Sequence, residues 1–358
     1  MADKERYLRQ MILPGFGQEA QEKLLAAKVL IVGVGGLGCP VLQYLVGAGV
    51  GKIGIMDGDK ISLSNLHRQL LFSEIEIGLL KVEQAFIKMK QLNSGITIEQ
   101  YPFYIDQKNA LEIISKFDIV IDATDNFAAK YLINDACVVL KKPLVYGAVS
   151  RFEGQVAVFN FATNKERAIN YRDLFPEAPK LGEIPSCEEA GVLGVLPGII
   201  GAMQAAEAVK FITGLGRVLN GKLYHYNLLQ AQGYEIEITP IDKVEEINEH
   251  QFLKTNYEWD CEIEDVPEIN VAEFNKLRQQ PEFFVLDVRE KHEYPKIDFS
   301  DAQIPMSELQ NRMAEIPDKE ICIICHQGIR SLYAAQQISK KRNLKVSSLK
   351  GGLTAYFK

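Results

Sequence analysis

Between residues 28 and about 146, short apolar runs alternate with stretches whose apolar residues recur at helical period. KVLIVG, KIGIMD, GITIEQY, FDIVIDA and KPLVYGA are bounded by Gly, Asp or Lys and read as strands; 82–92 and 127–140 read as helices. That βαβαβ order predicts a parallel sheet covered on both faces. GQVAVFNF, KLYHYNLL and GYEIEITP lack helices between paired runs and predict antiparallel additions to the same sheet. Residues 160–190, rich in Pro and charge, read as a long irregular stretch, and loops beyond ~15 residues are usually functional or disordered. A helix of small residues is expected over about 192–213.

Further along, 258–268 holds six acidic residues and no basic one, which reads as a solvated linker. A shorter α/β pattern follows: VAEFNKLRQQ (helix), FFVLDV (strand), SELQNRMAEI (helix), EICIIC (strand) and a helix from about Gly328. The expected division is a large domain over 1–245, an acidic linker over 246–266 and a small domain over 267–358. No periodic repeat or low-complexity tract interrupts it.

Composition narrows the function classes. The 358 residues include 40 Lys+Arg against 47 Asp+Glu, a net charge of −7, so no basic face is available for nucleic acid. Hydrophobic residues at 47% and charged residues at 24% exclude a disordered or fibrous chain. MADKERYLRQ lacks the apolar core of a signal peptide. The uncharged runs 29–51 and 190–206 are near spanning length but rich in Gly, and read as buried α/β core rather than membrane spans. Six Cys are too sparse for a disulfide scaffold, which points to a reducing, cytoplasmic setting. The five His do not cluster with Cys at metal-ligand spacing.

KVLIVGVGGLG carries G-x-G-x-x-G at Gly33, Gly35 and Gly38, with Gly36 inside it, between a strand and a helix. Glycines there let backbone approach phosphate, and the helix N-terminus supplies N–H donors. Asp57 stands about 20 residues past the loop, where an acid can bind ribose hydroxyls. These features imply a nucleotide without choosing among NAD, FAD and ATP.

DGDKISLSNLHRQ, Lys81 in GLLKVE, ATDNF, RYLRQ at 6–10 and SCEEAGVLGVLPGIIG at 186–201 together resemble the MoeB/ThiF (HesA/MoeB/ThiF) family over about residues 5–240. Those proteins are sulfur-carrier adenylyltransferases related to ubiquitin-activating enzymes. The resemblance implies an α/β, Rossmann-like ubiquitin-activating-type domain with a mixed sheet, using ATP and Mg²⁺. It implies that Asp57 holds the ribose, that Asn65 and Arg68 contact the phosphates, and that Lys81 stabilises the leaving pyrophosphate. Asp59, Ser64, Leu66 and His67 would line the nucleotide with the glycines. Asp125, beside Asn126, would bind Mg²⁺ through a hard carboxylate. Arg9 would reach a neighbouring subunit's nucleotide, which implies a homodimer. Physically, ATP and a carboxylate nucleophile repel, and Arg9, Arg68 and Lys81 offer the cations that offset this.

Cys187 matches the family's cysteine on the loop crossing the nucleotide site, where a thiol could attack an acyl-adenylate or resolve a persulfide adduct. Cys39 and Cys137 read as core, and Cys261 in the acidic run receives no role. Many relatives hold a structural zinc with two Cys-x-x-Cys pairs. Here the corresponding regions read NYRDLFPEAP and ITPIDKVEEINEH, so no zinc is expected and packing must brace the region instead.

Cys325-His326-Gln327-Gly328-Ile329-Arg330-Ser331 follows a strand and opens a helix, forming an anion cradle in which Arg330 and the helix dipole would favour the thiolate of Cys325. With LDVRE at 286–290 and LKGGLTAY at 349–356, it resembles a rhodanese active loop over about 267–358. A cysteine phosphatase would place five residues between Cys and Arg, whereas here 326–329 intervene. The segment between DVRE and SELQ is shorter than usual, which puts the small domain's rim in question. Cys322 with Cys325 could form a redox dithiol, but Cys322 lies mid-strand and should point elsewhere.

The resemblances imply one reaction sequence. The Gly-Gly carboxylate of a ubiquitin-like sulfur carrier (MoaD/ThiS type) is adenylated, and a Cys325 persulfide then converts it to a thiocarboxylate. A cysteine desulfurase or thiosulfate would supply the sulfur. The alternatives are an NAD(P)-binding oxidoreductase, and an adenylyltransferase whose small domain only docks partners. Molybdopterin, thiamine and tRNA thiolation all stay open as destinations.

Overall fold

In the computed structural model, residues 4–161, 167–178, 191–241, 247–257, 266–342 and 344–358 are described. The described residues fall into two units, one ending at Tyr257 and the other beginning at Val266.

In the first unit, β1 (Lys28–Val32), β2 (Lys52–Met56), β3 (Thr97–Tyr101), β4 (Ile119–Asp122) and β5 (Leu144–Ser150) run parallel, with Lys28 opposite Lys52 and Val29 opposite Ile119. β6 (Glu153–Phe159), β7 (Lys222–Asn227) and β8 (Gln232–Glu237) extend them antiparallel, giving the order β3-β2-β1-β4-β5-β6-β7-β8. The expected mixed sheet is therefore present. Strand order reverses between β1 and β4, and the loops at their carboxyl ends frame the crevice where open α/β sheets bind ligands.

Helices α3 (Gly38–Ala48), α4 (Lys81–Leu92), α5 (Ala110–Ser115) and α6 (Phe127–Leu140) cover the sheet, and α1 (Lys4–Met11) and α2 (Gly17–Ala26) precede it. The helix Val195–Thr213 is long and apolar enough, by length and composition, to cross a membrane. Here its Leu196, Ile200, Ala205 and Ala208 are buried in the same core as Val41, Leu42 and Leu45 of α3.

The region without cysteine pairs is braced by two carboxylates. Asp173, with no exposed side-chain surface, accepts Nη1 of Arg167 at 2.9 Å and backbone N–H groups of Asn170 and Ile241 at 2.9 Å each. Asp135 on α6 accepts Nε and Nη2 of Arg172 at 2.9 and 2.7 Å and the Tyr257 hydroxyl at 2.7 Å. These bonds tie the turn Tyr171–Leu174 to residues 241 and 257.

The first unit continues past residue 245. The helix Glu249–Lys254 buries Phe252 against Tyr257 (ring centroids 5.4 Å), and the Gln107 side chain donates to the carbonyls of Phe252 and Thr255. An amphipathic turn inside the expected linker thus belongs to the first unit. The acidic residues 258–265 lie outside the described residues.

The second unit holds β9 (Glu268–Ile269), β10 (Phe283–Asp287), β11 (Ala302–Gln303), β12 (Glu320–Ile324) and β13 (Val346–Leu349), all parallel, in the order β11-β10-β12-β13-β9. The helix expected over SELQNRMAEI is only Leu309–Arg312 followed by the turn Met313–Glu315. Cys325 packs with Leu286, Ile321 and Ala334, whereas Cys322 packs with Phe274, Val285 and Leu349 in a separate cluster. Period-two alternation along β12 makes that separation.

Candidate active sites

The glycine loop closes on the end of β4 because two of its residues have no Cβ. Gly33 adopts φ +95°, and a Cβ there would lie 2.7 Å from the Ala123 carbonyl oxygen. At Gly38 a Cβ would meet the Gly33 carbonyl oxygen at 1.9 Å. Asp57, at the end of β2, locks the loop: its carboxylate accepts the Val34 and Asp59 N–H groups at 2.8 Å each. Burial raises the Asp57 pKa, opposed by the Lys81 ammonium and those amides.

Asp59 is the more open of the two acids, with about half its side chain exposed. It accepts Lys81 Nζ at 2.8 Å and the Tyr104 hydroxyl, while Lys81 Nζ lies 3.8 Å from Asp57. Burial works against the Asp59 charge, but the bonds from Lys81 and Tyr104 outweigh it and hold the carboxyl below its ordinary range. The Tyr104 ring covers Gly58, where a Cβ would lie 2.9 Å from it. Lys81 is buried at the first residue of α4, so the helix start fixes where its cation emerges.

Within the turn Leu63–Asn65, the Asn65 side-chain oxygen accepts the Ser62 N–H at 3.2 Å. Arg68 is half-buried, donates Nη1 to the Ser64 carbonyl at 2.9 Å and lies 2.8 Å from Nε2 of the exposed His67. Burial and the Arg68 charge lower the His67 pKa. Leu66 packs at the edge of the core. Gly35 lies against the Gln69 amide, and Gly36 against Pro197 and the Arg68 stem.

On the other side of the crevice, Asp125 and Asn126 are exposed, and Asn126 caps α6 by accepting the Ala129 N–H at 2.8 Å. Their loop is shaped by Asp122, which accepts Thr124 N and Oγ1 at 2.9 and 2.6 Å and Lys130 Nζ at 2.9 Å. Lys130 also donates to the Gly147 carbonyl at 2.8 Å. Lys130 and Tyr104 were not anticipated; a charge on the helix face after ATDNF was the available signal for Lys130.

Arg9 does not join this cluster within its own chain's first unit. Its neighbours Tyr7 and Gln10 dock at the far end of α3, Tyr7 against Gly49 and Gln10 Nε2 on the Ala48 carbonyl at 2.8 Å. That end lies about 15 Å along the helix from the glycine loop. Cys187 and Cys261 lie outside the described residues. Cys39 and Cys137 are buried, and burial pushes the Cys39 thiol up to about 12 and Cys137 higher still.

In the second unit, Cys325 directly follows β12 and Gly328 turns the loop at φ +94°, where a Cβ would lie 2.9 Å from the Gly351 nitrogen. The Gly328 N–H donates to Cys325 Sγ at 3.1 Å, and Ser331 Oγ lies 3.4 Å from the same sulfur. Leu353 and Thr354, from the LKGGLTAY segment, donate their N–H groups to the carbonyls of Cys325 and His326 at 2.9 Å. Burial pushes the Cys322 thiol up to about 12, on the opposite face of the strand.

Arg330 is buried, and its Nη1 and Nη2 sit on the Glu293 carboxylate at 2.7 and 2.8 Å. Burial opposes the Glu293 charge, but Arg330 and the Glu290 N–H prevail and lower its pKa. The charge expected to act on Cys325 is therefore compensated in place by Glu293. The rim in question is ordered by Arg289, which pairs with Asp287 at 2.8 Å and donates to the Pro295 carbonyl at 2.8 Å. Glu293 sits in the short segment whose departure from the rhodanese pattern concealed it.

Comparison with known proteins finds matches over both units. Residues 7–246 match the ThiF family and residues 270–358 a rhodanese-like domain. A sulfur carrier protein adenylyltransferase of Thermus thermophilus is 50% identical over 228 residues, 63% of this chain and 84% of that protein. The adenylyltransferase and sulfurtransferase MOCS3 of Drosophila persimilis is 38% identical over 379 residues, 99% of this chain and 83% of that protein. A crystal structure of E. coli MccB with AMPCPP and MccA has a TM-score of 0.60 at 22% identity, covering 69% of this chain and 74% of that one, and shares the fold.

Proposed function

The chain belongs to the ThiF family, and we propose that its two units carry out successive steps on one sulfur carrier protein. It is an adenylyltransferase with a rhodanese sulfurtransferase domain, and the oxidoreductase alternative is discarded. The observation that carries the reading is the pairing, on one chain, of a glycine loop beside a buried Lys81 with a Cys325 thiol seated in a backbone cradle.

In the first step a C-terminal Gly-Gly carboxylate oxygen attacks the α-phosphorus of ATP, the bond to the β-phosphate breaks, and pyrophosphate leaves. Lys81 moves from Asp59 toward the phosphates, where its charge offsets the negative charge developing on the leaving group. Asp57 keeps the glycine loop closed and, with Asp59, the more exposed acid, binds the ribose hydroxyls; the loop contacts of Asp57 and the exposure of Asp59 support this. Asn65 and Arg68 hold phosphate oxygens, and Arg9 of a second copy supplies another cation in a homodimer. Among the described residues no group of three His, Cys, Asp or Glu could enclose a metal. An exposed Asp125 fits instead a Mg²⁺ shared with the nucleotide, since that ion is commonly held by one or two carboxylates plus substrate phosphates.

In the second step a persulfide on Cys325 attacks the activated carbonyl and AMP leaves, giving an acyl disulfide. The Cys187 thiolate then attacks Cys325 Sγ, releasing the carrier thiocarboxylate and a Cys187–Cys325 disulfide that a dithiol reductant reopens.

The test is Cys325→Ala in the full chain. It should retain carrier-dependent pyrophosphate exchange and lose thiocarboxylate formation from thiosulfate, while Cys187→Ala slows turnover yet still loads persulfide on Cys325. Thiocarboxylate formed at the wild-type rate by Cys325→Ala would reduce the small domain to a docking module.

A further inference from the structure

Behind Cys325 lies a pair of hydroxyls that the sulfur-transfer scheme does not use. Ser331 and Ser348 are fully buried, with their Oγ atoms 2.8 Å apart. Ser331 Oγ also lies 2.9 Å from the Gly328 carbonyl oxygen and 3.4 Å from Cys325 Sγ. We propose that Ser331 and Ser348 act as a reversible hydrogen-bond donor pair that stabilises the thiolate of Cys325, a positioning role that rests on reading Cys325 as the sulfur-accepting nucleophile.

Counting hydrogens decides the assignment. A hydroxyl has one hydrogen to donate and two lone pairs, and a carbonyl only accepts. With Cys325 protonated, its S–H donates to Ser331, Ser331 donates to the Gly328 carbonyl, and Ser348 donates to Ser331. When Cys325 loses its proton, one lone pair of Ser331 is vacated and the sulfur becomes an acceptor. Ser331 then turns its hydrogen from the carbonyl to the sulfur. The carbonyl is not orphaned by that turn, because the Leu332 N–H still donates to it at 3.2 Å. Ser348 donates to Ser331 in both states, so the Ser331 hydrogen is always left for the carbonyl or the sulfur.

Among the described residues the thiolate thus receives the Gly328 N–H at 3.1 Å and the Ser331 hydroxyl as donors. Hydrogen bonds to an ionised group are stronger than neutral ones. These dipoles matter more here because the Arg330 guanidinium is bound to Glu293. Ser348 enters from β13, so a residue outside the Cys325–Ser331 loop tunes the loop's nucleophile.

The experiment is the pH profile of Cys325 alkylation by iodoacetamide in the full chain, read by peptide mass spectrometry so that other thiols do not contribute. Ser331→Ala should raise the midpoint by about one pH unit, a tenfold loss of thiolate equivalent to ~1.4 kcal/mol. Ser348→Ala should raise it by about half as much. Ser348→Thr keeps the hydroxyl and should restore the wild-type midpoint relative to Ser348→Val, which has the same shape without it. Persulfide loading from thiosulfate should fall in the same order near neutral pH and recover at high pH, which a folding defect would not do. Midpoints for both alanine variants within about 0.2 unit of wild type would overturn the proposal, as would Val and Thr behaving alike at position 348. Persulfide loading of the wild type is scored separately. If the midpoints shift but no persulfide forms, the hydroxyl pair stands and the sulfur-carrier reading of Cys325 falls.

Discussion

Removing the Asp173 carboxylate tests whether an ionic brace holds the segments that paired cysteines would otherwise join. Asp173→Ala takes the carboxylate away from Arg167, which keeps only its contacts to backbone carbonyls among those described, and from the N–H groups of Asn170 and Ile241. Breaking a buried pair costs ~3–5 kcal/mol. Arg167 keeps about a quarter of its side chain exposed, so water recovers part of its charge and the low end, ~3 kcal/mol, applies. In a unit of this size that corresponds to a fall in Tm of about 6–12 °C. Burial opposes the Asp173 charge, but Arg167 and the two amides hold its pKa below the ordinary value. A carboxyl lowered on folding contributes stability that is present above its unfolded pKa of ~3.9 and lost as pH falls through the folded value. The gap between wild type and variant should therefore be full at pH 7 and close below about pH 4. Urea unfolding across pH, with hydrogen exchange at the Ile241 amide as the local probe, measures both effects. A loss under about 1 kcal/mol at pH 7, or a gap unchanged at pH 3, would refute the reasoning.

Asp125→Ala should lower carrier-dependent pyrophosphate exchange by about a hundredfold or more while the protein stays folded, and exchange at the wild-type rate would remove Asp125 from any Mg²⁺ role. Gly38→Ala places a Cβ 1.9 Å from the Gly33 carbonyl oxygen and should open the phosphate loop, so an unchanged KM for ATP would contradict the geometry. Elemental analysis after chelator washing should find no stoichiometric zinc, and one zinc per chain would show that other ligands replace the missing cysteines. Glu293→Gln takes a carboxylate away from Arg330 and should destabilise the second unit above about pH 4.5, converging on wild type in acid; a constant difference would mean that the pair is not titrating.

Local pattern was enough for the large sheet. β1, β2, β4 and β5 are short apolar runs between Gly, Asp and Lys, and period alone separates them from the helices over 82–92 and 127–140. The glycine loop was equally legible, because only residues without a Cβ fit where Gly33 and Gly38 approach backbone. Cys325 and the turn of its loop were readable for the same reason, and β12's alternation foretold that Cys322 faces away. By contrast β9 and β11 are two residues each, too short to carry a period, and exist because neighbouring strands offer them a ladder. The helix Glu249–Lys254 was hidden inside a charged stretch, since one buried Phe252 docks it.

What the side chains do at the sites depended on the tertiary structure. Spacing suggests a ribose role for Asp57, but only packing reveals that its carboxylate is already holding the glycine loop and that Asp59 carries the exposed face. Arg330 could be named from its loop, yet its charge is answered by Glu293, 37 residues earlier in the chain. Ser348 and Asp173 gave no signal, because a buried hydroxyl or carboxylate acquires its role from partners distant in sequence. A motif records the backbone shape and residue types that chemistry needs close together along the chain. Which charges are cancelled, and which donors reach a sulfur, is set by the folded packing that brings distant residues within three ångströms or so.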